Sequence, residues 1–252
     1  MSADLRPDWQ HVTAAMIRGA SPLDGALFVA GAVLGPDAQI AVYREQFELR
    51  FWDVVAEDAC GLLALLGDDG EPTLRAYLRE CPPDAWSLAR VCDRLEGWLS
   101  ARGAPPEHLE MAWLDRAVQQ SFVAAGGITP TPEALAAGGF GLRLRLQPHV
   151  RLRRFSHDVH HVRMDLSEHR DIRAPAPGDF PVAIFRAPTL KVRHFDLEPS
   201  AYTLLEALGP GASLESAVMA AAAVDPDPAA LVAKLGGWLR LFTERGLFEI
   251  CP

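Results

Sequence analysis

Apolar residues recur at three- and four-residue spacing along 37–66, at Ile40, Tyr43, Phe47, Phe51, Val54 and Val55. This amphipathic stripe predicts one helix, opened by Pro36 and Asp37 and closed by Gly67. The same period predicts a helix over 72–79, ended by Cys81-Pro82-Pro83. A third fits 87–101, with Leu88, Val91, Leu95, Trp98 and Leu99 on one face. After Pro105 and Pro106 a fourth covers 107–124, carrying Leu109, Trp113, Val118 and Phe122. Residues 1–125 therefore read as an all-helical bundle. Its aromatic stripe serves as core, the alternative being a cofactor box. Glycine and proline crowd 126–141, which reads as a linker with room for a helical turn at 132–137.

Beyond the linker the period changes to two. Leu142, Leu144 and Leu146 alternate with Arg143 and Arg145, as on a half-buried strand, and Val150 and Leu152 continue the pattern. Residues 161–166 read as a further strand and 170–180 as loop. The apolar runs 181–187 and 190–197, parted by Pro188 and Thr189, predict a hairpin. Three helices follow. The first spans 198–208, with Pro199 in its first turn. The second spans 213–223 from Ser213, and the third 227–245 from Asp227 and Pro228. Gly209 and Gly246 act as stops, and 247–250 forms a last strand. The expected fold is α+β: an N-terminal helical domain (1–125), a linker (126–141), and a smaller winged-helix-like α+β domain with a short antiparallel sheet (142–252).

Charge separates the two parts. Of 252 residues, 24 are basic and 33 acidic, for a net charge of −9, which opposes a dedicated nucleic-acid binder. Residues 1–137 hold 20 acidic and 10 basic side chains, whereas 138–252 hold 13 and 14. The N-terminus lacks a signal-peptide pattern and no apolar run is long enough for a membrane span, so a cytoplasmic location is expected. Cys60, Cys81, Cys92 and Cys251 form no CxxC pair and read as free thiols.

Few patterns carry chemistry. There is no GxSxG elbow, GxxxxGK[ST] loop, strand-to-helix GxGxxG or HExxH pair. The GGFG at 138–141 opens an alternating strand rather than a helix, so it belongs to the linker. Five of the eight histidines lie in 149–169: His149, His157, His160, His161 and His169, with Asp158 and Asp165 among them. Imidazoles so close can ligate zinc, copper or iron. On a strand, however, His157 and His161 would share a face and His160 would point away, which favours exposed polar histidines. The arginines at 143, 145, 151, 153 and 154 fit a solvated strand face, a nucleic-acid or acidic-peptide contact, or pairing with the acidic helical part.

Certain segments resemble a known family. The stretches 40–69, 74–100 and 108–122 are similar to the N-terminal domain of the HvfC/BufC family, often labelled as DNA-binding-domain proteins. The likeness rests on Tyr43-Arg44, Leu66-Gly67, Tyr77, Pro82-Pro83, Leu95, Leu109 and Trp113-Leu114. LRLQPHVRLRR and PVAIFRAP…LEPSAYTLLEAL resemble the family's second domain, so the likeness spans most of the chain. It implies a non-catalytic partner subunit of a multinuclear non-haem iron-dependent oxidase (MNIO) in RiPP biosynthesis, as in methanobactin pathways. The implied partners are the oxidase, as a heterodimer, and a precursor peptide, without membrane or nucleic acid. No cofactor is implied in this chain; the iron sits in the oxidase.

On that reading the precursor's leader adds as a strand to the edge formed by Leu190, Lys191, Val192, Arg193, His194 and Phe195. Val192 and Phe195 would meet apolar leader residues, and Lys191 and Arg193 acidic ones. The last helix would form the opposite wall, with Trp238 and Phe242 either lining the groove or packing as domain core. A DNA-binding regulator is the alternative function. Its weakness is a last helix that is mostly apolar and begins with Asp227, Pro228 and Ala229. A histidine-based metal carrier is a third.

Overall fold

A computed structural model of the protein describes residues 31, 33–83, 87–139, 142–209 and 211–250, with 12, 15 and 17 as isolated positions. Most of 1–30, Phe140 and Gly141 of the GGFG segment, and Cys251 lie outside the described residues. The fold is mixed α+β, with helices first and then small antiparallel sheets among further helices. The first part comprises α1 (Pro36–Asp58), α2 (Cys60–Leu66), α3 (Gly70–Glu80), α4 (Leu95–Ser100), α5 (Pro106–Val123) and the short α6 (Pro132–Gly138). Next come β1 (Leu144–Leu146), β2 (Arg151–His157), α7 (Val159–Ser167), β3 (Pro177–Arg186) and β4 (Val192–Asp196). Three helices, α8 (Pro199–Leu208), α9 (Leu214–Ala222) and α10 (Pro228–Glu244), lead to β5 (Phe248–Ile250). No helix among the described residues is long and apolar enough to cross a membrane.

Strands β2, β3 and β4 form one antiparallel sheet in that order, and β1 pairs with β5 in a second. The run Pro181-Val182-Ala183-Ile184-Phe185 is buried throughout. Alternation sends its side chains to opposite sides. Val182 and Ile184 join Val55, Leu62, Tyr77, Met111 and Leu114 of the helical part. Ala183 and Phe185 join Leu204, Leu208, Leu231, Phe242 and Phe248. The sheet is thus the middle layer between α1–α5 and α8–α10. Several caps are local: Ser213 accepts from the Ser216 amide, and Asp227 from Ala229 and Ala230.

Three expected elements take another form, and the loop expected over 170–180 ends before Pro177, where β3 begins by pairing with β2. The helix expected over 37–66 breaks at Ala59, which leaves α1 and α2. The new helix start exposes amides, and Asp115 of α5 accepts from the Leu62 N–H at 2.9 Å. The helix expected over 87–101 survives only as a 3₁₀ turn, Leu88–Arg90, and α4. There the Tyr77 hydroxyl occupies the Val91 carbonyl, and the Leu95 amide bonds Cys92 instead. The strand expected at 161–166 is helix α7. Val159 and Val162 stand three apart behind Asp158 and are both buried, a helical rather than alternating pattern.

Two bonded groups fasten the helical layer to the sheet region. Asp115, 2% exposed, meets Arg163 of α7 at 2.8 Å. Glu110, also of α5, accepts from the Ser156 amide (2.7 Å), the Ser156 hydroxyl (2.9 Å) and the His157 amide (3.0 Å), where β2 carries a bulge. Gly61 makes room for the first group. A Cβ there would stand 2.6 Å from Met111 Sδ, 2.8 Å from Asp115 Oδ1 and 2.8 Å from Arg163 Cδ. Gly61→Ala is therefore expected to lower stability by about 1–3 kcal/mol, as overpacking does. Urea unfolding checks it: the midpoint should fall at unchanged slope. An unchanged midpoint would contradict this packing.

Candidate functional site

Strand β4 lies at the edge of its sheet and pairs with β3 alone among the described residues. Main-chain parity fixes which of its groups remain open. The Ala187 amide bonds the Lys191 carbonyl at 2.9 Å, and the Leu197 amide bonds the Pro181 carbonyl at 2.8 Å. Odd-numbered residues therefore occupy the hydrogen-bonded positions, so Arg193 and Phe195 bond β3. Val192, His194 and Asp196 turn their amides and carbonyls to the outer edge. The preceding hairpin holds Leu190 at φ 63°, a left-handed conformation that leucine rarely adopts, with the residue 67% exposed.

A cleft of about 750 Å³ opens beside this edge. One wall is the hairpin and strand residues Leu190, Lys191, Val192 and Arg193. Facing them are Val54, Glu57 and Asp58 of α1, Val118, Gln119 and Phe122 of α5, and Leu88. Asp115 and Arg163 form part of the lining. The volume suits a ligand segment, and the lining combines apolar surface with charges of both signs. Burial pushes the Asp58 carboxyl up to about 6, aided by the negative charges of Glu57 and Asp115. Burial likewise raises Asp115, opposed by Arg163 and the Leu62 amide. The Cys60 thiol is raised by burial and by Asp115, so it stays protonated at neutral pH. Cys60, Cys81 and Cys92 are free thiols.

The eight residues expected to bind a leader divide between two faces of the sheet. Leu190, Lys191, Val192 and Arg193 line the cleft. His194, two residues after Val192, shares its face, and burial, reinforced by nearby His160 and Arg163, pushes its pKa down to about 3. Phe195 points the other way. Its ring lies 5.6 Å from Phe185 and 6.3 Å from Phe242, with the Arg245 guanidinium 4.2 Å above it. Phe242 is 1% exposed, and Trp238 is partly buried in the same cluster, near Lys234. Helix α10 thus covers the far face of the sheet and is absent from the cleft lining. The wall opposite the edge strand belongs to α1 and α5 instead. Sequence reasoning missed Asp58, Asp115 and Arg163 because their partners are distant in the chain. Phe122 carried a visible signal, and it is 59% exposed rather than core.

The arginine run is largely engaged. Arg145 pairs with Glu249 at 2.6 Å, Arg154 with Asp179 at 2.7 Å, and Arg153 with Glu96 of the helical part at 3.1 Å. Arg143 and Arg151 donate to the main-chain carbonyls of Gly211 and Pro148. No protein-family model matches the chain, and no curated protein matches it.

Asp58 gives the cleft a pH signature. The folded state holds its proton up to about pH 6, whereas the unfolded chain releases it near 3.8. Stability therefore falls as pH rises between those values, and the cost is fully present above them. Asp58→Asn is expected to raise unfolding stability by about 1 kcal/mol above that window, after screening by water, and to add nothing below it. Chemical denaturation at both ends checks this; an equal effect at both would contradict it.

Proposed function

We propose that this chain is a non-catalytic partner protein that binds the leader of a ribosomally made precursor peptide and presents its core to an iron-dependent oxidase of the MNIO type. The observation that carries the reading is the outer edge of β4, whose main-chain groups at Val192, His194 and Asp196 open beside a cleft of about 750 Å³. An extended leader adds there as a fourth strand: main-chain bonds give affinity and the cleft gives side-chain selection. Apolar leader residues meet Val192, Val118 and Phe122. Acidic ones meet Lys191 and Arg193, and basic ones meet Glu57 and Asp58. The resemblance to the HvfC/BufC family agrees with this role.

The division of labour follows from tethering. With its leader held, the core reaches the oxidase at an effective concentration on the order of millimolar for a short flexible tether. The iron and the oxygen chemistry belong to the oxidase, whose interface with this chain should bury at least about 1,000 Å². A DNA-binding regulator is less well supported. The start of α10 is capped by Asp227, and Arg145, Arg153 and Arg154 already face acidic partners.

Capture from native lysate at physiological salt, with tagged wild-type chain and Val192→Pro in parallel, tests the reading. Mass spectrometry should find an iron-containing oxidase and a short precursor peptide on the wild-type chain. Proline at 192 removes an outward N–H and spares the bonds to β3, a placement edge strands accept. The variant should keep its melting temperature and bind the captured peptide about tenfold more weakly or worse, the loss of roughly one net hydrogen bond. Enrichment of DNA in place of both partners, or undiminished peptide affinity in a folded Val192→Pro chain, would contradict the reading.

A further inference from the structure

Helix α7 opens after Asp158 with two adjacent histidines whose rings lie 4.0 Å apart. Asp158 Oδ1 stands 2.7 Å from His161 Nδ1 and 3.4 Å from His160 Nδ1. On the other edge of both rings stands Asp196 of β4. Its Oδ1 is 3.0 Å from His160 Nε2, and its Oδ2 is 3.5 Å from His161 Nε2. His160 is 1% exposed, and its Nδ1 has no hydrogen-bond partner. Donor atoms of Asp158, His160 and His161 all lie within 4.8 Å of one another.

We propose that Asp158, His160 and His161 bind a divalent transition-metal ion, through the carboxylate and the two Nδ1 atoms, with Asp196 orienting both rings from behind. The donor set decides the class of ion. Neutral imidazole with one carboxylate suits zinc and its first-row neighbours, whereas calcium and magnesium take oxygen ligands. Ligands about 2.0–2.1 Å from a tetrahedral zinc stand roughly 3.3 Å apart. The His160–Asp158 separation of 3.4 Å already has that value. His161 needs to withdraw from Asp158 by only a fraction of an ångström, and the ion replaces the proton they share.

The surroundings support the same assignment. A buried ring nitrogen without a partner is costly, and an ion would satisfy it. Ligating histidines usually donate their second ring N–H to a carboxylate, the place Asp196 takes for both rings. Side-chain exposures of 43% at His161 and 26% at Asp158 leave an entry path. Three protein ligands leave one position for water. The site joins α7 to Asp196, the last residue of β4, and none of its four residues lines the cleft; the ion would use the Asp196 side chain, the leader its main chain.

The test uses the whole chain, stripped by a chelator and titrated with Zn²⁺ against a chromophoric competitor, with Co²⁺ absorption as a second readout. Wild-type protein should take up one zinc per chain and give cobalt d–d bands. His161→Ala and Asp158→Asn should each bind about tenfold more weakly or worse, and Asp196→Asn about 10–100-fold more weakly. His108→Ala, in α5, should bind as wild type. Circular dichroism and melting establish that each variant is folded; His161 is chosen over the fully buried His160 for this reason. No saturable zinc binding by the wild-type chain, or equal affinity in folded His161→Ala, would overturn the proposal.

Discussion

Val182 and Ile184 on one face of β3, and Ala183 and Phe185 on the other, keep the central strand out of water. A sheet of only three strands is stable when both helical layers cover it, and each layer gains its core from the sheet. Burial on both faces leaves only the in-plane edges open. Glu110 closes part of the β2 side by taking the Ser156 and His157 amides. The β4 side keeps Val192, His194 and Asp196 open, so the geometry that secures the fold also determines where a strand can be added.

Asp115 and Arg163 set the relation of that edge to the helices. Their pair joins α5 to α7, and the same carboxylate caps the first turn of α2. Removing one member of such a buried pair typically costs about 3–5 kcal/mol, because the other charge is left unmatched. The pair also forms part of the cleft lining, so the element that anchors the helical layer shapes the space beside the strand. Edge strands invite unwanted pairing, and proteins protect them with short length and charge. Here five residues form β4, with Lys191 and Arg193 in or beside it and a left-handed Leu190 before it.

Local patterns were legible where a residue's fate depended on near neighbours. The apolar runs 181–187 and 190–197 signalled a hairpin, which β3 and β4 form, and Ser213 and Asp227 marked helix starts that they do cap. Patterns failed where a distant partner decided the outcome. The break at Ala59 depends on a carboxylate 53 residues beyond Leu62, and the loss of helix before Leu95 on the Tyr77 hydroxyl. Over 161–166 the expected strand gives way to helix α7, whose Val159 and Val162 share the buried face. Half of the expected binding surface, Leu190, Lys191, Val192 and Arg193, does line one cleft. Trp238 and Phe242 do not, because a helix that follows a hairpin can cover either face of it, and sequence periodicity does not say which.

Amide hydrogen exchange along β4, resolved by residue, tests the central claim that its outer edge is open and receives a strand. In the free chain Val192, His194 and Asp196 should exchange much faster than Arg193 and Phe195, whose amides bond β3. Addition of the captured precursor peptide should slow the first three and leave the other two unchanged. Protection of Val192, His194 and Asp196 in the free chain, or no change with the peptide bound, would contradict the account.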